Sequence, residues 1–386
     1  MNILHTVEWY WPSVGGAQEV VRQISERLVK RGHSVTIATT LVGNRPGGPI
    51  NGVQVREFAV SGNEVSGFRG EVSKYQDFLL GGQFDIMMNY AAQQWSTDLA
   101  YSVLDRLPYR KVLAPCGFSG LYDKKYERYF QDLPYRLSRY DHLVFHSGTY
   151  RDMEFAREHD LTRCSVIPNG ASEEEFSSPD PGFRYRYGIP EEIPLLLTVC
   201  NHTPAKGHRL VIEAFRLADT GPAVLVVLGK AIGRLSCRPI CRLKGGLMTL
   251  SSRGRKRVLL LDVPRAEALA AYKAADLFVF GSHIECSPLV LFEAVASRTP
   301  FISIACGNAE EIAAWTGGGV IVPTTRNGDG TVWAEPRAVA GMIEELLRDD
   351  GGRRNMAEAG FSAWQERFTW DRVADQYERL YQTLVA

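Results

Sequence analysis

Two glutamates and the helix start between them are the residues of this sequence best suited to chemistry. They lie eight positions apart in FVFGSHIECSPLVLFEAVAS, as Glu285 and Glu293. Ser287 suits an N-cap and Pro288 a first helical position, so we expect a helix over 288–297 that is apolar all round except at Glu293. A carboxylate on such a helix should be buried, and a buried charge requires a partner.

The positive end of this predicted helix suits a phosphate group. The backbone N–H groups of Leu289 and Val290 have no partner inside the helix, and the helix dipole favours an anion there. Glu285 would then reach the group attached to the phosphate, and Glu293 would bind ligand hydroxyls. The residues leave an alternative open, in which the protein backbone satisfies Glu293 and Glu285 is simply exposed. A neighbouring cation that neutralised Glu293 would remove this support for a ligand role.

Short apolar runs alternate with helical patterns along the whole chain, which predicts an α/β fold with parallel sheets covered by helices. The first unit is strand Asn2–Val7, a turn ending in Gly15 and Gly16, helix Ala17–Lys30 and strand Val35–Thr40. Further strands are predicted at Phe84–Asn89, Lys111–Pro115, His142–His146, Ser165–Ile167, 195–200, 223–228, 257–261, 277–280 and 301–305. Further helices are predicted at 207–218, 265–274, 309–315 and 370–384.

A change of composition predicts two domains. Residues 177–190 are rich in Pro, Gly, Ser and charge, as linkers are. We therefore expect a Rossmann-like domain over 1–178, a second over 179–368, and a closing helix in 369–386 that packs back on the first domain. Two doubly wound parallel sheets facing a cleft are the predicted architecture, with ligands outside the carboxyl ends of the strands.

Composition excludes several classes of protein. The 386 residues contain 45% apolar residues, and 44 basic residues balance 44 acidic ones, so no global charge favours nucleic acid or membrane. The N-terminus does not resemble a signal peptide and no apolar run approaches membrane-helix length, which predicts a cytoplasmic protein. The seven cysteines are odd in number and scattered. Cys237 and Cys241 lie four apart, but no second pair follows at finger spacing, so a zinc site is not favoured.

Several segments together resemble family 4 of the glycosyltransferases, whose fold is named GT-B. Glu285 and Glu293 match its E-x7-E motif, and the other segments follow in the expected order. The resemblance implies a retaining enzyme that moves a sugar from a nucleoside-diphosphate sugar to an acceptor hydroxyl, favoured in surface-polysaccharide or glycolipid assembly. It covers nearly the whole chain and includes PSVGGAQ at 12–18, VIPNG at 166–170, PAKG at 204–207, IEAF at 212–215, LG at 228–229, RVLL at 257–260 and AADL at 274–277.

The resemblance also assigns roles to residues. Glu293 would bind the ribose hydroxyls, Glu285 would touch the transferred sugar, and Lys206 would neutralise charge on the departing diphosphate. The main chain of Ser287, Pro288, Leu289 and Val290 would bind the diphosphate. Asp262 and Val263 would lie near the nucleobase, Gly229 near the donor, and Gly15 and Gly16 would let the backbone approach phosphate or acceptor. Gln18, Cys116 and Tyr122 are the candidate acceptor residues.

Two positions depart from the family pattern. Asn201 replaces the usual arginine five residues before Lys206, so the diphosphate would depend more on Lys206 or on an arginine from elsewhere. Cys116 replaces a frequent histidine, and no first-domain base can be assigned, which fits deprotonation of the acceptor by the leaving phosphate. The chain has no Asp-x-Asp pair, so we expect no cofactor and no metal at the diphosphate. His5, His142 and His146 are interpreted as core or strand-end residues.

Two charged segments could contact other molecules. Residues 230–257 contain nine basic side chains and no acidic one, and are interpreted first as a solvated helix and loop, or else as a surface for phosphate or membrane. Residues 109–140 interleave eight aromatic with seven basic side chains and are the candidate for binding a saccharide or glycolipid acceptor, or for peripheral contact with the inner face of the membrane. Nucleic-acid binding is not expected. Glu310 and Glu311, after Asn308, are interpreted as the capped start of a helix.

Alternatives to a glycosyltransferase remain open. A nucleotide-sugar epimerase or phosphorylase could share the fold, although the E-x7-E helix argues against the first and the lack of a cofactor-lysine context against the second. A non-catalytic protein that binds sugar nucleotides is the alternative from another class, supported by Asn201 and Cys116. Release of nucleoside diphosphate distinguishes it from an enzyme.

Overall fold

The protein is described from a computed structural model over residues 1–178, 182–233 and 236–386. Two compact units divide these residues: the first is Met1–Asn169 with Trp370–Ala386, and the second is Gly170–Thr369. The boundary therefore lies at Asn169 and not at 178, because Phe176 is buried in the core of the second unit. Residues 179–181, within the predicted linker, lie outside the described residues.

The first unit contains a seven-stranded parallel sheet and an antiparallel hairpin. The sheet order is β3-β2-β1-β6-β7-β8-β9, and β4 pairs with β5 in the hairpin. The strands are β1 (Asn2–Thr6), β2 (Ser34–Thr40), β3 (Gln54–Phe58), β4 (Val60–Asn63), β5 (Gly67–Gly70), β6 (Ile86–Tyr90), β7 (Arg110–Ala114), β8 (His142–Phe145) and β9 (Cys164–Val166). Its helices are α1 (Gly16–Lys30), α2 (Val72–Gly81), α3 (Trp95–Asp98), α4 (Glu127–Ser138) and α5 (Arg151–Glu158).

The second unit is built on a six-stranded parallel sheet of order β12-β11-β10-β13-β14-β15, beside a small hairpin of β16 and β17. The strands are β10 (Leu195–Val199), β11 (Ala223–Leu228), β12 (Lys256–Leu261), β13 (Leu277–Phe280), β14 (Phe301–Ile304), β15 (Gly319–Val322), β16 (Thr325–Arg326) and β17 (Val332–Trp333). Its helices are α6 (Glu173–Phe176), α7 (Phe183–Arg186), α8 (His208–Leu217), α9 (Arg238–Ser251), α10 (Arg265–Ala274), α11 (Leu289–Ala296), α12 (Ala309–Thr316), α13 (Pro336–Arg348) and α14 (Asp350–Ala363).

The last helix, α15 (Trp370–Val385), belongs to the first unit. Its buried Val373, Tyr377 and Tyr381 form one side, as the amphipathic pattern predicts, and this side packs near α1. The Tyr381 hydroxyl lies 3.0 Å from Nε2 of buried His5. The C-terminus therefore contributes core side chains to the unit that contains the N-terminus.

The predicted parallel sheets are confirmed, and each predicted strand lies within two residues of an observed one. Strands such as β11 are buried at every position, as expected for a parallel sheet that is covered on both faces. The observed folds are two Rossmann-like units, and the predicted cleft between them stays a prediction. Among the described helices, none combines the length and apolar character needed to cross a membrane.

Candidate functional site

The predicted residues of the second unit follow the carboxyl ends of neighbouring strands. Asn201 and Lys206 come after β10, Gly229 after β11, Asp262 after β12, and Glu285 after β13. Because these strands are parallel, their carboxyl ends share one edge of the sheet. The strand order reverses between β10 and β13, and such a switch point is the usual ligand site of an open α/β sheet.

Lys206 and Glu285 meet at this switch point. The Lys206 Nζ lies 2.5 Å from Glu285 Oε1, and the Ser282 hydroxyl donates to the same oxygen at 2.9 Å. Burial would lower the pKa of Lys206, but the Glu285 carboxylate raises it above its ordinary value. The pair therefore places a stable cation next to an oriented carboxylate.

Gly207 holds the two loops of this pair together. Its φ of 65° lies in the left-handed region, and a Cβ there would collide with the backbone carbonyl of Gly281. Only glycine meets both requirements, because other residues are strained at this φ and carry the colliding atom. The close approach positions Lys206, at the end of the turn Pro204–Lys206, beside the loop that carries Glu285.

Glu293 is buried on α11, as predicted, but it has a protein partner. Its Oε1 lies 2.6 Å from the Arg265 guanidinium, which also lies 2.6 Å from Glu175 Oε2. Burial would lower the pKa of Arg265, and the two carboxylates raise it above its ordinary value. The argument that Glu293 is an isolated acid awaiting a ligand is therefore wrong, because Arg265 supplies the charge that burial requires.

The helix that carries Glu293 begins one residue later than predicted. The N-cap of α11 is Pro288, with an extended ψ of 112°, and the helix proper starts at Leu289. The prediction of Ser287 as N-cap and Pro288 as first helical residue is therefore wrong by one position. The first-turn N–H groups of Leu289 and Val290 remain at the positive end of the helix, where an anion is favoured.

The other predicted donor residues have different surroundings. A Cβ at Gly229 would collide with the carbonyl of Cys200, so this glycine is already required by the packing of two loops. Asn201 and Asp262 are exposed. Val263 is half-buried and packs against the apolar core of the second unit, so part of its side chain has a structural role.

In the first unit, Gly15 and Gly16 lie between β1 and the start of α1. Gly15 is the extended N-cap of this helix, and Gly16 is its first residue. A Cβ at Gly15 would meet the side chain of Gln18, whereas a Cβ at Gly16 would meet no neighbouring atom. Gln18 therefore covers Gly15, and the open backbone is at Gly16.

Cys116 begins a turn of left-handed residues after β7. Cys116, Gly117 and Phe118 all have positive φ, at 59°, 92° and 44°. The Asp152 carboxylate accepts from the Gly117 N–H at 2.8 Å, and Arg151 Nε donates to the Gly117 carbonyl at 2.7 Å. Non-glycine residues at such φ are strained, and strain of this kind is common at functional sites.

Arg151 also brings Tyr122 towards this turn. Its guanidinium lies 5.6 Å from the centre of the half-exposed Tyr122 ring. Gly117, the residue after Cys116, and Tyr122 therefore share Arg151 as a neighbour. Burial raises the pKa of Asp152 to about 6.

Most of the aromatic side chains of the segment 109–140 belong to the core. Tyr109, Phe118, Tyr129, Phe130 and Tyr140 are buried in the first unit, whereas Tyr122 and Tyr135 are exposed. The acceptor or membrane role of this segment stays a prediction. The three histidines are structural, as interpreted: burial lowers the pKa of His5 to about 3 and lowers that of His142 and His146. Glu310 and Glu311 lie in the first turn of α12 after its N-cap, Asn308.

Comparisons with known proteins agree with this geometry. Residues 182–362, which include Lys206, Glu285 and Glu293, match the model of the family described as glycosyl transferases group 1. We call the matched residues the group 1 segment. The group 1 segment contains the Lys206–Glu285 pair and all of the sheet edge described above.

A relative of the group 1 segment is a D-inositol 3-phosphate glycosyltransferase of Xylanimonas cellulosilytica. It is 33% identical over 223 residues, which make up 56% of this chain and 50% of that protein. The match to this relative thus spans about half of its length.

Solved structures of other proteins share the fold over the whole chain. Sucrose-phosphate synthase from Thermosynechococcus elongatus is similar with a TM-score of 0.80 at 20% identity, covering 99% of this chain and 98% of that one. The Anabaena protein Alr3699/HepE in complex with UDP is similar with a TM-score of 0.77 at 15% identity, covering 100% of both chains. The two Rossmann-like units therefore form a GT-B fold.

The sequence reasoning missed Arg265, Arg151, Asp152 and Ser282. Arg265 begins a predicted helix directly after the strand end that carries Asp262 and Val263. Its basic side chain at that edge of the sheet could therefore have been predicted to lie near the site. Arg151 and Asp152 begin α5, a helix that was not predicted. Their link to the Cys116 turn is a long-range contact that no local pattern indicates.

Proposed function

We propose that the chain is a retaining glycosyltransferase that moves a sugar from a nucleoside-diphosphate sugar to an acceptor hydroxyl. The observation that carries the proposal is the Lys206–Glu285 ion pair at the sheet switch point of a group 1 segment. UDP in the Anabaena protein of the same fold supports a nucleoside diphosphate as the donor's leaving part. A saccharide, glycolipid or small-molecule acceptor is the proposed partner.

Charge neutralisation is the proposed task of Lys206. When the bond between sugar and diphosphate breaks, negative charge accumulates on the departing phosphate oxygens. A fixed cation and the positive end of α11 stabilise that charge more in this transition state than in the ground state. In this proposal they act in place of a divalent metal at the diphosphate, and Asn201 adds hydrogen bonds without charge.

The two glutamates bind different parts of the donor in this proposal. Glu285, oriented by Lys206 and Ser282, contacts the transferred sugar in this proposal. In this proposal Glu293 binds ribose hydroxyls through the carboxylate oxygen that does not accept from Arg265, because an ionised carboxylate has two acceptor oxygens. Arg265 then acts as a positioning residue that fixes the carboxylate.

Donor hydrolysis tests the proposal without knowledge of the acceptor. Purified protein is incubated with UDP-, GDP- and ADP-sugars, and slow release of nucleoside diphosphate is measured. We expect Lys206→Ala and Glu285→Ala each to lower the release rate by about 10²–10³-fold, the usual cost of removing one electrostatic stabiliser. Lys74→Ala is the matched control, because Lys74 forms an exposed ion pair with Glu71 at 2.9 Å in the first unit.

Donor binding without turnover would contradict the enzyme proposal. A thermal-shift screen identifies the bound nucleotide sugar, because a ligand of the native state raises its stability. If that ligand binds but no nucleoside diphosphate appears with any acceptor class, the non-catalytic alternative is favoured. A product with altered sugar stereochemistry and no transfer would favour the epimerase.

A further inference from the structure

Three buried side chains meet beside the loop that carries Lys206. His202 follows β10, His208 is the first residue of α8, and Cys237 directly precedes α9. Cys237 Sγ lies 3.6 Å from His202 Nδ1 and 3.5 Å from His208 Nδ1. Each of the three residues exposes 5% of its surface or less. Two imidazole nitrogens and one sulfur thus converge in the interior of the second unit.

Hydrogen bonds among these three side chains do not give every one of their polar atoms a partner. His208 Nε2 lies 3.2 Å from the Cys200 carbonyl, which only accepts, and 3.3 Å from Cys200 Sγ; with its proton on Nε2, His208 presents the Nδ1 lone pair to the Cys237 sulfur. Cys237 has a single thiol proton, and the Thr203 carbonyl, 3.6 Å away, competes with the imidazoles for it. His202 Nε2 is buried and has no hydrogen-bond partner within residues 1–178, 182–233 and 236–386.

The geometry points to a metal site in which His202 Nδ1, His208 Nδ1 and Cys237 Sγ bind a divalent ion of the zinc class. Zinc–nitrogen bonds of about 2.0–2.1 Å and zinc–sulfur bonds of about 2.3 Å place nitrogen and sulfur ligands roughly 3.5 Å apart at a tetrahedral angle. The two Nδ1–Sγ distances match this separation. The contact of His208 Nε2 with a backbone carbonyl is the outer partner that metal-binding histidines usually have.

The chemistry of the ligand set selects the class of ion. Thiolate and imidazole together suit zinc and similar borderline-soft ions, and they do not suit magnesium or calcium, which prefer oxygen. Buried Cys241, one turn along α9, interacts with Cys237 and lies outside the group of three proposed ligands. The site is distinct from metal binding at a diphosphate, because its ligands are enclosed by protein.

A bound ion would restrain both ends of the loop that contains Lys206. His202 and His208 flank residues 203–207, which include Lys206, and Cys237 connects them to the start of α9. A bound ion therefore restrains the segment whose position sets the Lys206–Glu285 distance. Its role is structural, and it does not depend on the proposed transferase activity.

Metal content and cobalt substitution test the site in the full-length protein. The protein is loaded with Zn²⁺ or Co²⁺, freed of loose metal by gel filtration, and analysed by mass spectrometry of the metal and by absorption spectroscopy. We expect one equivalent of metal and, with Co²⁺, a thiolate-to-cobalt charge-transfer band. Cys237→Ser should abolish that band, whereas Cys164→Ser, a half-buried free cysteine of the first unit, should preserve it.

The wild-type spectrum decides the outcome even where a variant does not fold. Absence of the charge-transfer band from wild-type protein, or metal lost during gel filtration, would overturn the site. A stoichiometric ion that persists unchanged in Cys237→Ser and His208→Gln would also overturn it, because the ligands would then be elsewhere.

A second inference concerns the outer face of α9. Its residues Cys241, Gly245 and Met248 are buried, and a Cβ at Gly245 would lie 2.9 Å from Val258, so this side packs tightly on β12. The opposite side exposes four aliphatic residues at helical spacing, which we name the leucine stripe: Ile240, Leu243, Leu247 and Leu250. Their exposed fractions are 47%, 65%, 58% and 77%.

Basic residues surround the leucine stripe. Arg242, Arg253 and Arg255 are exposed. The sequence of 230–257 has nine basic and no acidic residues. Two positions of this segment, Arg234 and Leu235, lie outside the described residues. An exposed apolar stripe on a basic helix is typical of segments that lie in a membrane interface. Pairing with a second copy would bring two basic surfaces together without compensating acids, which disfavours self-association.

We infer that the leucine stripe docks on an anionic lipid surface. The aliphatic side chains enter the boundary between headgroups and acyl chains, and the arginines bind the phosphates. We favour this surface over the segment 109–140 as the membrane-facing part, because five of the eight aromatic side chains of that segment are buried.

Vesicle co-sedimentation tests the docking. Wild-type protein should bind vesicles with phosphatidylglycerol and should bind neutral phosphatidylcholine vesicles far more weakly. Arg242→Gln and Arg255→Gln should each lower the partition about fivefold, the usual effect of one basic side chain. Leu247→Ser should lower it about tenfold or more. Tyr185→Ser is the matched control, because Tyr185 is 92% exposed in the same unit.

Three outcomes would overturn the docking. They are no binding to anionic vesicles, equal binding to neutral ones, and a dimer in sedimentation analysis that Leu247→Ser dissociates in the absence of lipid. The last outcome would assign the leucine stripe to a second copy.

Discussion

At the scale of single residues, Arg265 connects two carboxylates of the second unit. It lies 2.6 Å from both Glu293 and Glu175, so the loss of one carboxylate leaves it with the other. Breaking a buried pair is usually strongly destabilising, because an uncompensated charge remains. Here Arg265 is 44% exposed and keeps its second carboxylate, so solvent and Glu175 both limit that cost.

Substitution of Glu293 should therefore affect the donor more than the fold. We expect Glu293→Gln to weaken donor affinity by at least tenfold, because the amide is a poorer acceptor for ribose hydroxyls. The free energy of unfolding should fall by about 1–2 kcal/mol, since Glu175 still pairs with Arg265. Calorimetric titration and urea unfolding measure the two quantities, with Glu175→Gln as the control that spares the donor. Unchanged donor affinity in Glu293→Gln would count against its assigned role.

The sequence predicts the burial of Glu293 but not its partner. An acid within PLVLFEAVAS has apolar neighbours on every side of the helix, so burial follows from local pattern. Arg265 lies on another helix, and its contact with Glu293 depends on how α10 and α11 pack on the sheet. The metal cluster was missed for the same reason, because His202 and His208 join Cys237 only through the fold.

The pKa of Asp152 links one residue to the stability of its unit. Burial raises this pKa to about 6, from an ordinary value near 3.8. The folded state then binds more protons than the unfolded state between these values. This contribution to stability is therefore present below about pH 4 and is lost as the pH rises through about 6.

Asp152→Asn should remove that pH dependence. Relative to the variant, we expect wild-type protein to lose up to about 3 kcal/mol of unfolding free energy between pH 4 and pH 7, from about 1.4 kcal/mol per pKa unit. The amide of the variant is neutral throughout this range, and its carbonyl oxygen can still accept from the Gly117 N–H. Urea unfolding of both proteins at several pH values measures the difference. Parallel pH curves would show that burial does not raise this pKa.

At the scale of elements, loops are positioned by close backbone contacts. Gly207 and Gly229 each lie where a side-chain carbon would collide with a neighbouring carbonyl. These two contacts join the loops after β10, β11 and β13 at the proposed donor site. The strands themselves were predictable, because apolar runs of strand length alternate with helical patterns. Contacts between their loops were not, since they depend on the order of strands in the sheet.

Substitution of Gly207 tests this positioning. We expect Gly207→Ala to lower the free energy of unfolding by more than about 2 kcal/mol and to weaken donor affinity, because strain and collision add together. Gly188→Ala is the matched control: its φ is 57°, but its Cβ would meet no atom within 4 Å. Gly188→Ala should lower the free energy of unfolding only by the backbone strain of about 1–2 kcal/mol, and it should leave donor affinity unchanged. Equal effects of both substitutions on donor affinity would contradict the role of Gly207.

At the scale of the whole molecule, the chain leaves its first unit at Asn169 and returns to it at Trp370. The amphipathic pattern of 370–384 predicted a helix, and the structure gives α15 in the first unit. The first boundary was misplaced because the linker-like segment 177–190 directly follows the short helix α6 and contains the short helix α7. Phe176 and Phe183 from these helices are buried in the second core, and two aromatic anchors are easily overlooked among polar residues.

From this division we expect a destabilising substitution in α15 to lower the stability of the first unit only. Tyr381 is fully buried there, with its hydroxyl 3.0 Å from His5 Nε2, so Tyr381→Ala should lower the stability of the first unit by about 3–5 kcal/mol. Hydrogen-exchange mass spectrometry locates the effect: protection should fall in peptides from residues 1–169 and persist in those from 182–362. Val385→Ala, at an exposed position of the same helix, should change neither set. Equal loss of protection in both sets of peptides would mean that the two units unfold as one.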